Sequence, residues 1–135
     1  MWWGYKAVLL IAMIFFHIAD DYYLQGFLAQ AKQKSFWEKN YPDDMYKRDY
    51  ITALITHAFS WTCSIHIPVL IYCVALHVTP NMLIVLPWFV ANCAIHALVD
   101  NLKANCKIIN LTQDQLSHLA QIVVTWLFYI ILGGL

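Results

Sequence analysis

Apolar residues run along this chain in four long blocks, and charged residues collect between them. The blocks extend from about Trp2 to Leu28, Tyr50 to His77, Met82 to Cys106 and Thr112 to Leu135. Each exceeds the roughly 20 residues a helix needs to cross a bilayer. Pro42 breaks the first connector, and Thr79-Pro80-Asn81 predicts a tight turn between the second and third blocks. Pro68 and Pro87 fall inside blocks, where neighbouring helices can satisfy the freed carbonyls. The pattern predicts an all-α polytopic membrane protein, one domain over residues 1–135 with four transmembrane helices in a bundle. The first block is expected to stay as a span. No small-x-small cleavage site follows it, and His17, Asp20 and Asp21 continue at helical spacing.

Composition strengthens this picture. Apolar residues make up 61% of the chain and charged residues 12%, with a mean hydropathy of +0.58. Soluble domains average about 45–50% and about 25%. Trp2, Trp3 and Tyr5, then Trp37, Tyr41, Tyr46 and Tyr50, fit aromatic belts at headgroup level. Lys32, Lys34, Lys39, Lys47 and Arg48 lie in the first connector (about 32–49), Lys103 and Lys107 lie by the third, and Lys6 alone is at the other face. The positive-inside rule then puts the first connector in the cytoplasm and both termini outside. Glu38, Asp43, Asp44 and Asp49 share that connector, which reads as a solvated surface of mixed charge, with residues 27–37 able to form an interfacial helix. Zero net charge gives no electrostatic case for a nucleic-acid partner. The four cysteines lack C-x-x-C spacing and read as packing residues.

Ionisable side chains inside a membrane are costly and face a bundle interior or a cavity. At about 100° per residue, His17, Asp21 and Gln25 share one face of the first helix, with Asp20 beside them. His57, Trp61 and Ser64 align on the second. His96, Asp100, Lys103 and Lys107 form a stripe on the third, and Asp114, His118, Gln121 and Thr125 one on the fourth. Because the helices alternate in direction, all four stripes fall in the cytoplasmic leaflet. Helical bundles build metal sites from inward-facing His and carboxylates, and this donor set suits Zn, Fe or Mn. The expected ligands of such a divalent transition metal are His17, Asp21, His57, His96, Asp100 and His118. Asp20 or Asp114 would serve as general base, Gln115 and Lys103 would complete the catalytic set, and Gln25 and Lys103 would contact substrate. Plainer roles exist for single members. Asp100 and Lys103 could be an i,i+3 ion pair, and Asp114 could simply answer the helix dipole. His66 and His77 fall outside the cluster, and Trp61 and Trp126 read as packing residues.

The order His17-Ile-Ala-Asp-Asp21 with Leu24-Gln25, His57, His96-Ala-Leu-Val-Asp100 with Lys103, and Asp114-Gln115-Leu-Ser-His118 resembles a family of small bacterial and phage integral membrane proteins grouped as a domain of unknown function. The resemblance spans nearly the whole chain, implies a bacterial inner-membrane location, and supplies no reaction. The long charged first connector departs from it. A looser likeness is to membrane-bound metal-dependent hydrolases. The leading expectation is a metal-dependent membrane enzyme, hydrolase-like, acting on a lipid-like or phosphorylated substrate at the cytoplasmic interface. Two alternatives stand beside it: ion, proton or small-solute transport by an oligomer, and a non-catalytic membrane interaction module. So small a bundle is expected to form a homo-oligomer in the lipid bilayer.

Overall fold

The computed structural model describes residues 2–132, with side chains from Gly4 onward. Residues 133–135, placed in the fourth block, and the side chains of residues 2 and 3, placed in the aromatic belt, lie outside the described residues. The chain is all helical: α1 (Trp2–Ala19), α2 (Leu28–Ala31), α3 (Lys34–Asn40), α4 (Asp49–Ala75), α5 (Met82–Ala104) and α6 (Leu111–Ile131). Four long helices close into a ring in which α1 neighbours α4, α4 neighbours α5, α5 neighbours α6, and α6 returns to α1. Met13, Trp61, Ile65, Ile122 and Tyr129 form its apolar core.

Local chemistry sets the helix ends. Asn81 Oδ1 accepts from Leu83 N (3.0 Å) at the start of α5. Asn110 and Gln113 exchange side-chain and backbone hydrogen bonds as a capping box for α6. Asn110 therefore has a structural task. α5 stops at Ala104, short of the predicted Cys106, and Lys107 leaves the stripe in a positive-φ turn (φ 55°). α1 runs into one π-helical turn over Asp20–Leu24, marked by Gln25 N donating to Asp20 O at 3.0 Å. Gly26, at φ 47°, then turns the chain back toward the bundle.

Three segments are long and apolar enough to cross a membrane: Gly4–Leu24, Asp44–Ala75 and Met82–Ala104. That points to membrane association. α6 does not reach the same mark among the described residues, because Gln113, Asp114, Gln115, His118 and Gln121 crowd its first half. The distribution of polarity agrees. Among the described residues, buried polar and charged side chains outnumber buried apolar ones. Val8, Ile11 and Phe15 on α1, and Leu83, Leu86, Val90 and Leu98 on α5, point outward. A bundle that hides carboxylates and displays leucines is built for an apolar solvent.

Candidate metal centre

At the end of the bundle nearest α2 and α3, the four helices bring their polar stripes together. His17, Asp20, Asp21, His57, His96, Asp100, Asp114 and His118 are all buried. The π turn explains why the two consecutive aspartates that follow α1 are both inside. A widened turn spreads adjacent side chains, and such turns recur at functional sites. Asp20 turns toward α4 and Asp21 toward the middle of the ring.

His57 Nε2 lies 3.3 Å from His96 Nε2, 3.4 Å from Asp21 Oδ1 and 3.3 Å from Asp100 Oδ2. His118 Nε2 lies 3.4 Å from Asp100 Oδ1 and 3.5 Å from Asp114 Oδ1. Two ligand sets result, Asp21–His57–His96 and His96–Asp100–His118, both buried, with His96 in common. Ions that hold imidazole and carboxylate tetrahedrally at about 2.0–2.1 Å separate neighbouring donor atoms by about 3.3–3.4 Å. The His57 contacts and His118–Asp100 fall there, whereas His118–Asp114 (3.5 Å) and His96–Asp100 (3.8 Å) are wider. Asp21 Oδ1 and both His118 nitrogens are buried without a hydrogen bond, so these donors fit a cation that would satisfy them.

Behind this group stands a supporting layer. His57 Nδ1 faces Asp20 Oδ2 at 3.8 Å, while Ser60 Oγ and Ser64 Oγ donate to Asp20 Oδ1 at 2.8 and 3.0 Å. Metal-binding histidines are commonly oriented by such a carboxylate. Trp61 Nε1 donates to His17 Nδ1 (2.8 Å), and its ring stacks on His96 with centroids 4.1 Å apart. His96 stacks in turn on His118, also at 4.1 Å. Since His17 Nδ1 accepts from the indole, a neutral His17 carries its proton on Nε2. His17 accordingly belongs to neither ligand set.

The remaining sequence candidates divide. Lys103 pairs with Asp114 Oδ2 rather than with Asp100, and Gln115 Nε2 donates to Asp114 Oδ2 (3.1 Å) and Asp21 Oδ2 (3.3 Å). Gln25 donates its side-chain amide to the backbone carbonyl of Asp21. His66 bonds Thr62 O (2.6 Å) and packs on Phe89, away from the cluster.

Lys32 corrects the picture of the connector as a solvated surface. It is buried, and its ammonium lies 2.7 Å from Asp100 Oδ2. Asn105, which ends α5, holds it there. Asn105 Oδ1 accepts from Lys34 N (2.7 Å) and its Nδ2 donates to Lys32 O (3.1 Å). Nothing in the spacing of Lys32 could have revealed this, because the contact joins residues 68 apart. Asn92 was legible, one helical turn before His96 on the same stripe. Its Oδ1 accepts from Gln121 Nε2 and Thr125 Oγ1, both at 2.9 Å.

No protein-family model, curated protein or solved structure matches this chain. The site's chemistry therefore rests on its own geometry.

Proposed function

We propose that this chain is a four-span, metal-dependent membrane enzyme of the hydrolytic kind, with its centre in the cytoplasmic leaflet and both termini outside. The observation that carries the reading is the convergence of His57, His96 and His118 Nε2 with Asp21 and Asp100 oxygens in two buried ligand sets that share His96, with closest approaches of 3.3–3.4 Å. These five residues would hold a divalent transition ion such as Zn, Fe or Mn. The ion, when bound, would polarise the substrate and acidify water.

The other residues have roles that follow from their partners. Asp20, held by two serines and 3.8 Å from His57 Nδ1, fits the task of orienting His57 better than that of general base. Asp114 remains the candidate base by position: Lys103 and Gln115 hold its Oδ2, and its Oδ1, 3.5 Å from His118 Nε2, is buried without a hydrogen bond. In hydrolysis Asp114 Oδ1 would take a proton from the attacking water and pass it to the leaving group as the bond to that group breaks. Lys32 balances the charge on Asp100 and ties the connector to the centre. α6 counts as the fourth span in this reading because its polar half faces inward and leaves Leu116, Val124 and Ile131 outside.

A transport role draws less support. Met13, Ile65, Ile122 and Tyr129 are buried beyond the polar layer. Elemental analysis of the detergent-purified protein tests the proposal, beside a His96→Ala/His118→Ala double variant. Near-stoichiometric metal in the parent and none in the variant is the expected result. Absence of metal in the parent after incubation with Zn, Fe and Mn would end it.

A further inference from the structure

The centre is closed on most sides. Lys32 and the Asn105-bound connector cover one end. The apolar core closes the other, and Asp20 with its two serines fills the α1–α4 side. Between α1 and α6 the packing is different. A groove of about 480 Å³ opens there, and its inner end is His17 and Gln115. Ile14, Ile18 and Leu119 form its walls, with Tyr22 at the rim. The groove is thus polar at the cluster and apolar along its length. Phe15, Ile18 and Leu116, exposed beside it, would lie against lipid in a bilayer. A water-soluble substrate would have to cross that apolar flank, whereas a lipid already lies along it.

Charge narrows the occupant. The cluster sets the carboxylates Asp20, Asp21, Asp100 and Asp114 against the ammoniums Lys32 and Lys103. Without metal it repels anions. Divalent ions in the two ligand sets would offset that excess of carboxylates, and a His17 Nε2–H and Gln115 would be the polar groups that a head meets in the groove. Gln115 lines the groove together with His17 and donates to both Asp21 and Asp114, so a group arriving along the groove meets it first.

We infer that the substrate is a bilayer lipid with an anionic, phosphate-type headgroup, admitted sideways between α1 and α6, head toward Gln115 and tail along Ile14, Ile18 and Leu119. This inference rests on the metal-enzyme reading for its charge argument. A second cavity of about 500 Å³ serves as a control, because Ile67, Leu70 and Val85 line it and no residue of the cluster does.

The test is photolabelling in phosphatidylcholine nanodiscs with phosphatidic acid carrying a diazirine in its acyl chain. Metal content is measured on every sample. Peptides of α1 and α6 should carry the label in metal-loaded protein, and inorganic phosphate at equal concentration should not compete. Leu119→Trp and Ile18→Trp should each cut labelling at least about tenfold with metal content unchanged, while Leu70→Trp should change neither. Labelling that survives both groove-filling variants overturns the lateral route, as does competition by free phosphate. Strong labelling of α1 and α6 in protein that binds no metal would keep the groove and overturn the metal-enzyme reading instead.

Discussion

The bundle has two halves with opposite interiors. On the connector side, α1, α4, α5 and α6 bury histidines and aspartates at 3.3–3.5 Å separations, backed by serines, Trp61 and Lys32. On the far side, beyond the Asn92–Gln121–Thr125 hydrogen bonds, the same helices bury mainly apolar residues, among them Leu9, Met13, Ile65, Val69 and Ile122. The far half is held by packing, which is tolerant of small changes in shape. The connector half is held by paired charges, each of which becomes costly when its partner is lost. The difference teaches that stability and chemistry are separable along the bundle axis, and substitutions can be chosen to probe one or the other.

The largest effect is expected from Asp100→Ala. It strands the buried Lys32 ammonium and removes both carboxylate oxygens, Oδ2 facing His57 and Oδ1 facing His118. Loss of about 3–5 kcal/mol of stability, with complete loss of bound metal, should appear in thermal unfolding and elemental analysis. A variant that unfolds like the parent would show that the Lys32–Asp100 pair is not what anchors the connector.

Ile122→Ala comes next. Its side chain is fully buried in the far half, and a cavity there should cost about 2–4 kcal/mol while leaving metal content intact. Metal loss in this variant would mean that the two halves are coupled. Asp20→Asn should preserve the fold and lower metal affinity about 10–100-fold, as removal of an orienting carboxylate does. Competition with a chelator measures that shift. Equal affinity would remove Asp20 from the supporting layer.

Trp61→Phe keeps an aromatic surface for His96 but deletes the donor to His17. A destabilisation of about 1 kcal/mol is expected, read from unfolding in a fixed detergent. Smallest of all is Lys34→Ala. Its ion pair with Glu38 is solvent-exposed at 3.3 Å, and such pairs contribute about 0–1 kcal/mol. The backbone N–H that binds Asn105 is untouched. A large effect would give the connector surface a role that its geometry does not suggest.

The sequence by itself determined the helices and most of the cluster. Hydrophobic blocks of span length can bury their backbone polar groups only as helices, and a 3.6-residue period puts His96 with Asp100, and Asp114 with His118, on single faces. Antiparallel neighbours then bring those faces to one end without any knowledge of packing. What only the tertiary structure decided were contacts between distant segments and departures from the regular period. The π turn sends Asp20 to Ser60 and Asp21 to the centre, where a uniform helix would have kept one of them at the edge. Lys103 chose Asp114 across the α5–α6 turn over Asp100 on its own helix. Lys32 looked like one more connector charge until Asn105 pinned its backbone and Asp100 its ammonium. Periodicity reports which residues share a face, whereas the partner across the interface depends on how faces pack, and that information is not local in the chain.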